Sequence, residues 1–475
     1  MREVGGVIAC GVCDTLQQVP VLGPDQIAHC ASCGSTLRRF SRLDRARTVP
    51  LVLTCLLLFG MANAFPIVVL EMGGQAQPLT LLGAVMTLLN EGMIPVAMLV
   101  LLPTLLLPGM YLLVLLGTLM VIGLSQVPDK LVNRMVRMMQ QIAPWSMVEV
   151  FLIGILVATI KLAGTATVVL GPALWAWMGM TITLTVVLTV DLRRLIRRSP
   201  VRPQHEAMAG GGASHQPMAA VARYAQDRAQ ASVQDGPANV HTSATAAQPG
   251  GSTPDGVLPT ARGCGMIACH ACDTVWADAH DGQLCPRCGA KLSRRRVYDL
   301  NLTWALLITA IILYVPANVL PMMITQSLFG TTEDTILSGV VFFWQHGEWF
   351  IASIIFIASF LIPLFKLVAL IMLAIQVQRG SAWRLLERTH LYHAVEWVGR
   401  WSMLDVFVVA ITSALIQRPG VAVVQAGPGI VAFGAVVVLT MLAAMSFDPR
   451  LAWDARFGQR RPASGGTMCR QDVSP

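Results

Sequence analysis

Residues Ile8–Leu16 read IACGVCDTL, and Ile267–Val275 read IACHACDTV. One nine-residue phrase is written twice, 259 residues apart, each time just upstream of sequence too apolar for water. A second pair follows each phrase: Cys10 and Cys13 are joined after sixteen residues by Cys30 and Cys33, and Cys269 and Cys272 after twelve by Cys285 and Cys288. Four thiolates at this spacing close a tetrahedral zinc site, each CxxC turn aiming two sulfurs inward while the chain between them forms a short hairpin. Gly34 and Gly289 follow the second pairs, suited to the tight turn of a zinc knuckle. Each module is too small to hold a core unaided, so metal would supply its folding energy. A closed four-thiolate site keeps no open coordination position, which argues for structure rather than catalysis. His29, His270 and His280 are read as surface residues because four cysteines already complete each site.

Outward from the cysteines, 55% of the 475 residues are hydrophobic and 13% charged, the balance of a membrane protein. The first 47 residues hold cysteines and a basic run before any apolar segment, so no cleavable signal peptide is expected. A hydrocarbon core of roughly 30 Å needs about 20 helical residues. Eight spans are expected. Val49 to Leu70, Met93 to Leu124, Trp145 to Ile160 and Thr167 to Val190 form a first group; Leu300 to Ile324, Trp349 to Val377, Trp401 to Ile416 and Pro428 to Phe447 form a second. The second span is long enough to tilt or to kink at Pro103 or Pro108.

Basic residues give the orientation. Arg38 to Arg47, Lys130 to Arg137 and Arg193 to Arg198 fall on one side of the first group, and Lys291 to Arg296, Arg379 to Arg388 and Arg450 to Arg456 repeat that pattern. The opposite loops, 71–92 and 325–348, contain Glu71, Glu91, Glu333, Asp334 and Glu348 but no lysine or arginine. Both termini and the central linker are therefore expected in the cytoplasm. On that reducing side zinc is favoured over the rival reading, a dithiol switch.

The repeat reaches past the cysteines. ANAFP at Ala62–Pro66 matches ANVLP at Ala317–Pro321, WSMVEVF at Trp145–Phe151 matches WSMLDVF at Trp401–Phe407, and Gly171-Pro172 matches Gly427-Pro428. Four spans per half is an even number, so the halves share one orientation as parallel repeats. The expected fold is an all-α polytopic membrane protein: two parallel four-helix units, each preceded by a small cytoplasmic four-cysteine zinc ribbon. The divisions are 1–47 (first ribbon), 48–198 (first unit), 199–262 (linker), 263–297 (second ribbon), 298–456 (second unit) and 457–475 (tail). Linker and tail are poor in large apolar residues and cannot offset their ordering entropy by burial, so both are expected to be disordered.

Ionisable groups inside a membrane are costly and so are functional candidates. Lys366 lies mid-span in IPLFKLV and Asp405 in WSMLDVF; Tyr111 and Glu149 stand at the matching places in the first half. The loss of the lysine there nominates the second half as the working one. The plain alternative is a structural ion pair, although Asp405 falls nearer the cytoplasmic surface than Lys366. Asn63 before Pro66 and Asn318 before Pro321 suggest a helix kink whose freed carbonyl is repaired by a nearby amide, or else a lateral gate. No GxxxxGK[ST] motif occurs, so no P-loop nucleotide hydrolysis is expected and the chain reads as a non-enzyme. The basic residues crowd against the membrane, where anionic headgroups and not nucleic acid are the nearer partner.

With its paired modules, ANxxP, WSMxxVF and FDPRLAWD at Phe447–Asp454, the chain resembles the paraquat-inducible protein A family. The first half carries a degenerate VDLRRL at Val190–Leu195 in place of FDPRLAWD, so the halves need not be equivalent. The resemblance implies an inner-membrane component of a phospholipid transport system between two membranes, working with a periplasmic MCE-domain tunnel protein. The other reading is a membrane-anchored zinc-ribbon scaffold or envelope-stress sensor without transport.

Overall fold

The computed structural model describes residues 1–4, 7–18, 26–39, 45–72, 75–122, 129–162, 167–188, 259–295, 299–327, 330–347, 349–380, 384–415, 417–418 and 422–458. Most of the expected linker, nearly all of the expected tail and VDLRRL lie outside these residues.

The chain begins with β1 (Arg2–Glu3), then builds its first module from two hairpins. β2 (Val7–Ala9) pairs with β3 (Leu16–Gln18), and β4 (Ile27–His29) with β5 (Thr36–Arg39), each pair carrying one CxxC knuckle at its turn. The first half follows as α1 (Arg45–Ala64), β6 (Val68–Met72), β7 (Gln75–Leu79), α2 (Leu81–Asn90), α3 (Ile94–Leu101), α4 (Leu107–Val121), α5 (Asp129–Ile142), α6 (Val148–Leu162), β8 (Thr167–Leu170) and α7 (Pro172–Leu188). The second module holds β9 (Ile267–Ala268) and β10 (Val275–Ala277). The second half repeats the order: α8 (Asp299–Val319), β11 (Met323–Ser327), β12 (Gly330–Asp334), α9 (Ile336–Gln345), α10 (Trp349–Ile355), α11 (Ile362–Gln378), α12 (Leu385–Trp401), α13 (Leu404–Leu415), β13 (Gln417–Arg418), β14 (Ala422–Ala426) and α14 (Pro428–Ser446). It ends with α15 (Arg450–Gly458). A π-helical turn joins α3 to α4 at Leu102–Leu106, and another joins α10 to α11 at Phe356–Leu361. Each is followed two residues on by a proline, Pro108 or Pro363, whose missing N–H such a widened turn accommodates.

One expectation needs correction. The fold is mostly helical but not all-α: β7-β6-β8 form an antiparallel sheet, and β12-β11-β14-β13 form its counterpart. The apolar end of the first expected span leaves the helix after Ala64, because Pro66 cannot continue it, and Val68 to Leu70 pair with Val168 to Leu170 instead. Among the described residues, six helical runs are long and apolar enough to cross a membrane, and the fourth and seventh expected spans correspond to α7, described over 17 residues, and α13, over 12. The start of the fourth expected span is spent on β8, and the start of the seventh on the end of α12 and the turn after it.

The sheets lock helix ends together. Gly171 donates its N–H to the Ile67 carbonyl (2.9 Å) and Ala173 to the Pro66 carbonyl (3.3 Å); Gly427 donates to Met322 (2.9 Å) and Gly429 to Pro321 (2.9 Å). A Cβ on Gly171 or Gly427 would collide with the carbonyl of Pro66 or Pro321, so only glycine fits this joint. It fastens α1 to α7 and α8 to α14, pairs that then pack along their lengths.

Between the halves, α6 packs on α13. Phe151 and Phe407, the last residues of the two WSMxxVF motifs, meet edge to face there with ring centroids 5.5 Å apart. α2 and α3 of the first half also lie against α13, and Leu81, Ala84, Val85 and Leu88 of α2 are buried. Its counterpart α9 buries Ile336 alone. The two halves repeat an order of elements without repeating every contact.

Candidate metal centres and an intramembrane lysine

All four knuckles share one geometry. The residue after the second cysteine turns left-handed, at Asp14 (φ 63°), Gly34 (72°), Asp273 (55°) and Gly289 (70°). Its N–H returns to the first cysteine's carbonyl: Asp14 to Cys10 (3.0 Å), Gly34 to Cys30 (2.9 Å), Asp273 to Cys269 (2.9 Å) and Gly289 to Cys285 (2.8 Å). Glycine adopts this conformation without strain, and aspartate is among the few other residues that tolerate it.

The eight sulfurs gather into two buried sets of four, each within 4.8 Å. Cys10 and Cys33 sulfurs are 3.6 Å apart, Cys13 and Cys30 3.5 Å, Cys269 and Cys288 3.4 Å, and Cys272 and Cys285 3.8 Å. Zinc–sulfur bonds of about 2.3 Å in a tetrahedron put sulfurs about 3.8 Å apart, so both sets fit a four-thiolate metal with little adjustment. All eight are free thiols. Hydrogen bonding from Cys13, then Cys30 and Cys33, holds Cys10 far below the ordinary thiol range, and Cys269, then Cys272 and Cys288, does the same for Cys285. The same contacts push Cys13 and Cys269 up, since four thiolates cannot share so small a space without a cation. Hydroxyls of Thr15 and Ser35 contact sulfurs in the first set, and that of Thr274 in the second. His29 and His280 are exposed.

Within the membrane-spanning part, Lys366 is fully buried and its Nζ donates to Ser402 Oγ at 3.2 Å. Ser402, also buried, donates its own O–H to the Gly399 carbonyl (2.9 Å). The lysine of IPLFKLV thus meets the serine of WSMLDVF. Asp405 stands second in α13, and its side chain lies outside the described residues. In the first half Tyr111 is buried where the lysine would be, and Ser146 Oγ is buried with no hydrogen-bond partner among the described residues. Glu149 is exposed and accepts from Thr185 Oγ1 at 3.0 Å.

The prolines of ANxxP do not kink a helix at Asn63 and Asn318. α1 stops at Ala64 and α8 at Val319, so Pro66 and Pro321 follow the helix ends. Each amide donates back one turn, Asn63 to the Phe59 carbonyl (2.7 Å) and Asn318 to Tyr314 (2.8 Å), leaving both Oδ1 atoms buried without a partner among the described residues.

Sequence reasoning missed two groups. Ser402 is neutral and drew no notice beside its charged neighbours, although both WSM motifs contain it. The other is an ionic cluster around FDPRLAWD. Arg295 lies between Asp14 (2.9 Å) and Asp454 (2.9 Å), Arg262 also reaches Asp454 (2.7 Å), and Arg450 reaches Asp14 (3.5 Å). Burial alone would lower the Arg295 pKa, but Asp454 and Asp14 outweigh it and hold the guanidinium above its ordinary value. The recurrence of aspartate after both CxxC phrases was the available signal.

A family model described as Paraquat-inducible protein A matches residues 46–199 and 300–456, one stretch in each half. The chain belongs to that family. It is 33% identical over 449 residues to Intermembrane transport protein PqiA of Escherichia coli strain K12, covering 94% of this chain and 95% of that one. Lipophilic envelope-spanning tunnel protein A of the same organism is 27% identical over 447 residues, covering 94% and 91%. Probable intermembrane transport protein of Haemophilus influenzae is 38% identical over 193 residues, 39% of this chain and 45% of that one. The solved structures give no significant match.

Proposed function

We propose that this family member is an inner-membrane component of an intermembrane transport system, passing phospholipid between the inner membrane and a periplasmic MCE-domain tunnel protein. The observation that carries the reading is the buried Lys366–Ser402 contact, kept in one half and lost in the other, in a chain whose full-length relatives are named for intermembrane transport and an envelope-spanning tunnel. A fully buried lysine is costly in a membrane, and structural packing alone would favour an apolar side chain there. In this reading the second unit works, Lys366 and Asp405 form a relay, Glu149 is its degenerate counterpart, and Asn63 and Asn318 offer buried acceptors, without a partner among the described residues, at the ends of α1 and α8. Both metals are structural zinc, and both termini and modules face the cytoplasm, as loop charge supports. Sheet ends and acidic loops then face the periplasmic partner.

The test is co-purification from native membranes with lipid and protein mass spectrometry, alongside Lys366→Ala, Asp405→Asn and the double variant. Enriched phospholipid and a periplasmic MCE-domain partner are expected. Each single change should abolish envelope-lipid function at normal abundance, and the double should be no worse. Recovery of abundance and function in the double would make the residues a structural pair. Only cytoplasmic partners and no enriched lipid would indicate a scaffold or sensor.

A further inference from the structure

The two modules dock crosswise. The first, at the chain's N-terminus, packs its cysteine set on the second half, against Leu385 of α12 and against Ala452 and Trp453 of α15. Arg450 Nε donates to the Gly11 carbonyl (3.1 Å), and Trp453 Nε1 to Thr389 Oγ1 of α12 (3.2 Å). The second module packs on the first half. Val132 and Val136 of α5 join Trp276 and the four cysteines of that module, Asn133 Nδ2 donates to the Arg287 carbonyl (2.7 Å), and Gln140 Nε2 to Ala271 (3.2 Å). α5 and α12 both lead directly into the WSMxxVF motif of their own half, and Asn133 and Thr389 each stand twelve residues before its tryptophan. The corresponding helix in each half therefore faces the other half's module, α5 directly through Asn133 and α12 through Leu385 and through Trp453 of α15.

The modules are also fused to each other. β1 pairs with β10, Glu3 bonds Arg287 (2.7 Å), Thr15 bridges Thr260, and Arg295 holds Asp14 of the first module against Asp454 of α15. Residues 259–262, read from sequence as linker, are pinned here: the Arg262 N–H donates to Asp14 Oδ2 (3.1 Å).

We propose that the two metal modules form one strap that holds the halves together crosswise, the first metal site ordering α12 and α15 of the second half and the second ordering α5 of the first. FDPRLAWD is the buckle: Arg450, Trp453 and Asp454 are positioning residues that transmit the first site to α12, which runs to Ser402, the partner of Lys366. This explains why the motif is complete in one half only, since a single buckle closes the strap. The proposal does not depend on what is transported.

Hydrogen exchange of the purified full chain, read by peptide mass spectrometry, tests it. Cys30→Ser with Cys33→Ser should speed exchange in 385–401 and 450–458 by about tenfold or more relative to 129–142, and Cys285→Ser with Cys288→Ser should reverse the ranking. Trp453→Ala and Asn133→Ala keep both cysteine sets, so metal content should stay unchanged while exchange rises in 385–401 and 129–142 respectively. These two carry the test if a cysteine variant fails to accumulate. Loosening of each module's own half, or equal loosening of both helices by every variant, would overturn the proposal.

Discussion

At the scale of single residues, the chain's costs are concentrated in few side chains. A sulfur set closed by four cysteines loses its whole site when one is replaced, because three thiolates leave a position that water or a proton must fill. Cys285→Ser should therefore lower bound metal from two ions per chain to one and reduce abundance, without abolishing any chemical step independent of abundance; metal analysis and immunoblotting check both. The cysteines were legible because spacing alone specifies their chemistry. Lys366 was legible because a charge in an apolar run stands out. Ser402 and Ser146 were not, since a hydroxyl costs little on any hydropathy scale and its importance lies in the partner it finds or lacks.

At the scale of elements, the joint between ANxxP and Gly-Pro matters most. These repeated motifs lie about 105 residues apart in each half, and only the sheets bring them together. Gly171→Ala and Gly427→Ala should each destabilise the protein by about 1–3 kcal/mol, because a backbone carbonyl cannot move aside as a side chain would. Thermal unfolding in detergent checks this, and similar losses at the two sites are expected because the joint is the same. Sequence reading found both motifs as repeats but read ANxxP as a kink or a lateral gate and gave Gly-Pro no role. Apolar runs such as Ile67 to Leu70 carry no period by which a strand differs from the last turn of a helix, so the sheets were hidden in the hydropathy.

At the scale of the whole molecule, duplication, membrane spans and family were legible, because they are properties of order and composition. Contacts between the halves were not, since a repeat does not say which copy touches which. Thiol labelling tests the orientation. Thr331→Cys in β12 should react with an impermeant thiol reagent applied from the periplasm, and Ser214→Cys should react only after the inner membrane is opened; the reverse pattern would put the modules in an oxidising compartment. The crosswise docking also constrains ancestry. A half-length chain with one module and one helical unit would leave its own module-binding helix bare and its module without a seat. Two copies related by a twofold axis would satisfy both by exchange, as domain-swapped dimers do. Joining those copies in one chain would make the exchange intramolecular and free each copy to change alone, and a lysine on Ser402 in one half, with Tyr111 in the lysine's place and no partner for Ser146 among the described residues in the other, is the kind of divergence that a single chain permits and a homodimer does not.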